Sequence, residues 1–331
     1  RDWSSDVCSS DLRVLAEREG GLGAALDDFE VALQGLSARP GEPAVRSDVL
    51  AAAERLGDRF TSTARALEDA QRDLDTRLER EVEALDDTLR SIGELGVQIQ
   101  RAELDGREAS DLRDQRDQLL REVAEKLPVR AVEDDAGGLG VLLGGGLALV
   151  TPDGRTAALA TEPDPASGTL RVVRETAGAA QDVTGAIDGG ELGGLLAARD
   201  GALADARREL DQLAFDLAGA YNGVHAAGVG ADGGTGRNLF DAPAAAAGAA
   251  AAVAVSADVA GQPERIAAAT AVDLAGDNRN ALALAGLAEQ DIAAGGTDTA
   301  QGALGALVGR AGQALRGAEL DRDVAEDAAT Q

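Results

Sequence analysis

The feature that most constrains this chain is a proline-free stretch of some 60 residues between Pro43 and Leu104. Within it Leu78, Val82, Leu85, Leu89, Ile92 and Ile99 recur at steps near four and three, the period of one apolar seam on an α-helix. An unbroken helix of that length would run on the order of 90 Å at 1.5 Å per residue, so it needs companions along its whole length. Gly93 and Gly96 interrupt the seam and predict a bend or a close helix approach there.

The flanks extend the helical pattern. Leu22, Leu26, Phe29 and Leu33 form a stripe that stops at Pro40, and a second helix is expected to start near Pro43 or Ser47. A turn at Gly106 and a restart at Ser110 give a returning helix through Leu112, Leu119, Val123 and Leu127, closed by Pro128. After Pro128 the period shortens to β-favouring runs divided by Gly, Pro and Asp-Gly turns, and "GGLGVLLGGG" (Gly137–Gly146) reads as a hairpin. Leu195, Leu203, Leu210, Leu213 and Leu217 restore helical spacing, with the helix expected to end around Asn222-Gly223. A Gly- and Ala-rich segment follows, with strand-like "AAVAVSADV" (Ala251–Val259), and a last helical region from Asp277. The expected class is mainly α with small β insertions. The expected division is a discontinuous helical rod domain (22–128, 189–228 and 276–331), a β-rich insertion (129–188) and an irregular, β-containing insertion (229–275).

Composition excludes several functions. The 331 residues carry 59 Asp and Glu against 31 Lys and Arg, a formal net charge of −28 that repels phosphate backbones and anionic headgroups. With one Trp, one Tyr and four Phe there are almost no platforms for stacking bases or sugars. Nucleic acid and membrane are therefore not expected partners, and no run approaches the roughly 20 apolar residues of a membrane span. "RDWSSDVCSSDL" (Arg1–Leu12) contains the only Trp and the only Cys, and reads as a non-native leader resembling a translated library adapter. Setting it aside leaves no thiol for disulfides, metal or nucleophilic chemistry. With no Met, an initiator included, the chain is expected to be a fragment.

Motifs that could carry chemistry resolve into structure. His225, the sole histidine, has no second His or Cys to complete a zinc site, and no partner placed by sequence to make it a general base; facing a helix C-terminus near the Gly228 turn is the better reading. Gly228, Gly230 and Gly233 match the dinucleotide spacing, but they follow a helix where a phosphate cradle requires a strand. The pairs Asp27-Asp28, Asp86-Asp87 and Asp134-Asp135 are solvated faces, since adjacent helical residues diverge. In "GDNRNALALAGL" (Gly276–Leu287), Asp277 or Asn278 is expected to cap a helix covered by Leu282, Leu284 and Leu287. Arg279 is the alternative contact to a neighbouring subunit, and one Asp is too few for a calcium loop. No catalytic residue, cofactor site or metal site is expected.

Five stretches, in order, carry a family resemblance: Leu22–Phe60, "DLRDQRDQLLREVAEKL" (Asp111–Leu127), "GGELGGLLAARD" (Gly189–Asp200), "AYNGVHAAGVGADGGTGRNLF" (Ala220–Phe240) and "GDNRNALALAGL". Their most specific elements are the Asn-x-x-His-x-x-Gly pattern at Asn222, His225 and Gly228, and Gly-Asp-Asn-x-Asn at Gly276, Asp277, Asn278, Arg279 and Asn280. Together they make the chain resemble the flagellar hook-associated protein 1 family, the hook-filament junction proteins. The resemblance implies an elongated helical bundle of the flagellar axial type that is not an enzyme. Its work would be self-assembly into a ring or short tube joining hook to filament. The implied partners are copies of itself, the hook protein, a second junction protein or flagellin, and an export chaperone; the implied place is the extracellular flagellum, reached through the flagellar channel. On this resemblance, the two terminal segments that carry export and polymerisation in the family are expected to lie outside the given sequence, the chaperone's site among them. A cytoplasmic coiled-coil scaffold would explain the seam but not the β insertion or the ordered motifs, and an acidic hydrolase lacks a nucleophile, base or metal set.

Overall fold

The computed structural model describes residues 21–134, 138–165, 168–176, 178–272 and 276–313. The Arg1–Leu12 leader, Asp135 and the tail beyond 313 lie outside these residues. The chain separates into two compact units, residues 1–70 with 202–331, and residues 71–201.

In the first unit, helix α1 (Leu22–Ala38) buries Leu22, Leu26, Phe29 and Leu33, adding Ala25 and Leu36 to the same face. It ends where the Arg39 N–H bonds the Gly35 carbonyl ahead of Pro40. Helix α2 (Pro43–Leu104) opens on its proline, whose missing N–H costs nothing in a first turn, and runs without an assigned break. Its first part contributes Val45, Val49, Leu50, Leu56, Phe60 and Leu67 to the first unit's core.

Helix α5 (Ala204–Ala227) runs past the expected stop at Gly223 to a C-cap at Gly228, whose N–H bonds the His225 carbonyl. The cost of an internal glycine, about 1 kcal/mol, is outweighed because Tyr221, Asn222 and His225 lie on a buried face that continues through it. Phe29, Tyr221 and Phe240 meet edge to face, with ring centroids 5.0, 5.7 and 6.5 Å apart. Three of the six aromatic residues of an aromatic-poor chain thus meet at one point.

The segment after α5 is irregular. The strand expected at Ala251–Val259 does not form: Ala249–Ala252 makes a single helical turn, and Val255 makes only an isolated bridge to Phe240. That turn has no cap of its own; Asp211 on α5 supplies it, accepting from the N–H groups of Gly248 and Ala250 at 2.9 and 3.0 Å. Helix α6 (Arg279–Gly286) packs on α1, and helix α7 spans 300–313.

In the second unit the rest of α2 buries its whole seam, Leu78, Val82, Leu85, Leu89, Ile92 and Ile99 each at or below 1% exposure. The cover is mixed. Helix α3 (Ser110–Lys126) gives Val123, helix α4 (Gly190–Ala197) gives Leu192 and Leu196, connecting residues give Leu127, Val183 and Ile187, and two antiparallel three-stranded sheets give the remainder. One sheet joins β1 (Arg130–Glu133), β2 (Leu139–Leu143) and β3 (Leu147–Val150), with β2 and β3 forming the hairpin around Gly144–Gly146. The other joins β4 (Ala158–Pro163), β5 (Leu170–Thr176) and β6 (Ala179–Asp182). Strands satisfy the seam because their inward side chains, Val141, Leu149, Leu159 and Val172, are as apolar as a partner helix would be.

The expected crowding at Gly93 is present, but against a loop rather than a helix. A Cβ there would lie 2.6 Å from the Gly154 carbonyl oxygen, whereas at Gly96 it would meet nothing within 4 Å. Asp86 of the acidic pair is not merely solvated: it accepts from the Leu159 N–H at 2.9 Å, tying β4 to the helix, while Asp87 pairs with Arg90 in solvent. Arg199, almost fully buried in a π-helical segment (Ala198–Leu203), donates to Asp75 at 2.7 Å and to the Leu170 carbonyl.

Candidate functional site

The two motifs that lie some fifty residues apart in sequence converge on one segment, Ile266 to Thr270. This strip is irregular and its first three residues are buried, so its backbone groups cannot rely on water. Motif side chains and neighbouring backbone satisfy them instead. The Ala267 N–H donates to His225 Nε2 at 3.0 Å, and the Ala267 carbonyl accepts from Asn280 Nδ2 at 2.6 Å. The Ala268 carbonyl accepts from the Ala281 N–H at 3.0 Å, Ala269 and Val229 exchange both backbone bonds, and the Thr270 N–H donates to Asp277 Oδ2 at 2.8 Å. Arg46, buried on α2, donates to the Ile266 carbonyl and, through Nε, to Pro40.

His225 is bound at both nitrogens. Because Nε2 accepts from Ala267, the hydrogen sits on Nδ1, which donates to the Arg237 carbonyl at 2.8 Å. Burial pushes its pKa below the usual histidine value, partly offset by the Arg237 carbonyl. The ring is therefore a neutral tie between two backbone segments. That corrects the reading of it as a cap: it bonds no last-turn carbonyl, and it has no free lone pair for general-base work.

One turn earlier, Asn222 is equally committed. Its Oδ1 accepts from the Leu239 and Phe240 N–H groups at 2.9 and 2.8 Å, and its Nδ2 donates to the Phe240 carbonyl at 2.9 Å. This clamp holds the backbone of Phe240 while its ring packs on Phe29 and Tyr221. Gly228 completes the Asn-x-x-His-x-x-Gly pattern for a steric reason: a Cβ there would lie 2.1 Å from Asn280 Nδ2 and 2.9 Å from Ala267 Cβ. The last residue of one motif is glycine so that the last residue of the other can reach its carbonyl.

The Gly276–Asn280 motif divides its roles differently from the expected cap. Asn278 occupies the cap position but makes no side-chain cap bond; its Nδ2 donates to the Ser37 carbonyl at the end of α1. Asp277 accepts from the Arg279 N–H at 3.2 Å with Oδ1, and from Thr270 through N–H and Oγ1 with Oδ2. The Arg279 side chain folds back onto Asp277 and, with Thr270, holds that carboxyl well below the usual range. Arg279 itself stays exposed, and Gly276 precedes it with φ of 80°. Leu284 and Leu287 are buried, but Leu282 is half exposed. The Gly228, Gly230 and Gly233 spacing forms a turn in which Gly230 and Gly234 are hydrogen-bonded, and Asp232 grips Arg237, which lowers the Asp232 pKa to about 2.

Sequence reading missed Arg46, Asp211 and the Arg199–Asp75 pair. A signal existed for the first alone: an arginine three residues into a helix that begins at Pro43 sits on the same face as Val49 and Leu50. Among the described residues, no group of three or more His, Cys, Asp or Glu is placed to hold a metal ion, and no helix is long and apolar enough to cross a membrane.

One carboxyl is out of place. Glu30 on α1 has a buried Oε1 without a hydrogen-bond partner, and burial, with Asp27 adding to it, pushes its pKa up to about 7. A raised carboxyl pKa favours the folded state below the unfolded value near 4.5 and erodes stability as pH rises through 7. Each unit corresponds to about 1.4 kcal/mol, and solvent screening at this half-exposed site reduces the total to about 1–2 kcal/mol. Glu30→Gln is thus expected to raise the urea midpoint at pH 8.5 and leave it unchanged at pH 4; an equal gain at both would refute the assignment.

The site is one in which polar side chains fasten irregular backbone within a mainly helical unit. A sequence model described as the flagellar hook-associated protein FlgK helical domain matches residues 12–240, more than half of the chain, and the chain belongs to that family. It is 32% identical over 231 residues to flagellar hook-associated protein 1 of Salmonella typhimurium, covering 69% of this chain and 42% of the relative. The protein of that name from Bacillus subtilis is 25% identical over 308 residues, 85% of this chain and 61% of that one. The chain thus spans less than half the length of the Salmonella protein. The fold matches that of the flagellar hook junction protein FlgK from Burkholderia pseudomallei with a TM-score of 0.82 over 97% of this chain and 95% of the other, at 16% identity.

Proposed function

We propose that this chain is a structural subunit of the bacterial flagellum that joins hook to filament by packing with copies of itself into a ring or short tube. The observation that carries the reading is the family match over residues 12–240, supported by a fold likeness along nearly the whole chain. On this reading the partners are further copies, the hook protein on one side, and a second junction protein or flagellin on the other. An export chaperone acts before assembly, and the protein works outside the cell after passage through the flagellar channel. The Asn222–His225–Gly228 and Gly276–Asn280 motifs serve assembly indirectly, by keeping the first unit rigid enough to present one surface to every neighbour. No turnover is involved, and the acidic exterior gives nucleic acid and membrane no foothold.

The test is a chimera. Residues 22–313 replace the corresponding region of the Salmonella relative in a strain lacking that protein, and filaments per cell are counted by electron microscopy. Restored filaments are expected. Export of the folded chimera accompanied by release of unassembled flagellin into the medium would overturn the reading.

A further inference from the structure

In the second unit, the sheet of β1, β2 and β3 ends on an open edge. Among the described residues β1 pairs with β2 alone, in a register that sets Arg130 against Leu142 and Glu133 against Leu139. The Asp134 N–H bonds the Gly138 carbonyl, so by alternation Arg130 and Val132 also turn their backbone groups towards β2, whereas those of Ala131 and Glu133 turn outward. These outward N–H and C=O groups meet no hydrogen-bonding partner among the described residues, and all four residues of β1 are exposed. The opposite edge differs: there Thr156 bridges Val150, and the Ala157 N–H bonds the Leu149 carbonyl, which closes β3. Val132, 41% exposed, lies midway between the two outward residues of β1, with Arg130 and Asp134 to either side of it on the same face.

We infer that β1 is a self-complementary edge, onto which β1 of a second copy adds antiparallel about a two-fold axis through Val132. Only outward-facing residues can exchange bonds across the edge, so the registers centred within the open stretch are those about Ala131, Val132 and Glu133. Centred on Val132, each Ala131 exchanges two backbone bonds with Glu133 of the other copy, the two valines meet in the closely spaced kind of pair, and each Arg130 faces an Asp134. Centred on Glu133, two carboxylates oppose each other and Val132 faces Asp134. Centred on Ala131, Arg130 faces Val132, and Glu133 faces Val129, whose N–H already bonds the Leu127 carbonyl. Like charges directly opposite destabilise and unlike charges stabilise, which selects the first register. Arg116, buried under the strand, holds Glu133 at 3.3 Å and adds positive charge to the face where the second Glu133 falls. Charges commonly shield an edge strand from pairing. Here their order about Val132 matches the strand to itself at both ends, which an arbitrary strand does not provide. The net charge of −28 is spread over the chain, and charges farther than ~8 Å from the contact are largely screened at physiological ionic strength. A two-fold contact closes on itself, whereas a ring repeats one head-to-tail contact, so this pairing goes beyond the assembly reading and does not depend on it.

Cysteine crosslinking tests it in the full chain carrying Cys8→Ser. Val132→Cys places the two thiols on the axis, at a Cα separation of about 4.5 Å that a disulfide can span, whereas Arg130→Cys leaves them about 14 Å apart. Diamide supplies the oxidant, taking up two hydrogens for each disulfide formed. The expected result is a covalent dimer from Val132→Cys that forms at least tenfold faster than from Arg130→Cys. Arg130→Asp added to Val132→Cys is expected to slow it at least tenfold, and Asp134→Arg added to both is expected to restore it. Equal rates from positions 130 and 132 would mean random collision and overturn the inference. No dimer at all leaves the edge to some other strand and overturns the choice of a second copy, and a charge exchange that fails to restore the rate overturns the register. Should a charge variant unfold, the comparison of positions 132 and 130, both exposed, decides by itself.

Discussion

His225→Ala is expected to destabilise the chain by about 3–5 kcal/mol in urea unfolding at pH 7.5. The imidazole satisfies two backbone groups from different segments, the Arg237 carbonyl and the Ala267 N–H, in a position 1% exposed. Each orphaned buried group costs about 1–3 kcal/mol, and the cavity left by the ring adds to that. His225→Gln can still offer an oxygen to Ala267 but loses Arg237, and should fall near half of the alanine value. The pH dependence provides an independent check. A histidine whose folded pKa is depressed contributes stability that is fully present above its unfolded value near 6.5 and is lost as pH falls below it. The wild type should therefore weaken on acidification from pH 7 to 5 by more than the Gln variant. A loss under 1 kcal/mol for the alanine variant, or identical acid profiles, would show that the ring is not the tie described.

How legible this arrangement was in the sequence depends on the kind of signal each part leaves. The α2 seam is a periodic pattern repeated many times, so both its existence and its buried face follow from spacing alone. The helix start at Pro43, the turn at Gly106 and the restart at Ser110 were likewise readable, because each rests on local backbone chemistry. What covers the seam was not readable, since an apolar stripe is equally satisfied by a helix or by inward strand residues such as Val141 and Val172. The site shows the same division. The types and spacings of Asn222, His225 and Gly228, and of Gly276 to Asn280, marked them as unusual, but their meeting at Ala267 is a tertiary fact with no local trace. Helix α5 was expected to end at Gly223 because local propensity argues for a stop; burial of Tyr221, Asn222 and His225 overrode it. Asp211, which caps a turn 37 residues away, left no sequence signal at all.

Gly93 and Gly96 allow those two kinds of information to be set against each other, because both sit inside α2 and differ only in what faces them. Helix propensity predicts that alanine stabilises at either position by about 0.5–1 kcal/mol, since it removes the entropic cost of glycine. At Gly96, where nothing lies within 4 Å, that gain is expected in full. At Gly93 the new methyl would lie 2.6 Å from the Gly154 carbonyl oxygen and 3.0 Å from Thr156 Cγ2. The loop cannot simply retreat: Gly154 sits at φ of 79°, its N–H bonds the Thr151 carbonyl, and the neighbouring Pro152 carbonyl accepts from Gln100 about two turns further along the helix. Overpacking against backbone so restrained costs about 1–3 kcal/mol or more, which exceeds the propensity gain. Gly93→Ala is therefore expected to lose about 0.5–2 kcal/mol net, with Gly96→Ala moving in the opposite direction in the same urea titration. If both variants gained stability, the close approach of the 151–156 loop to α2 would be refuted, and with it the packing that lets two small sheets serve as the cover of a long helix.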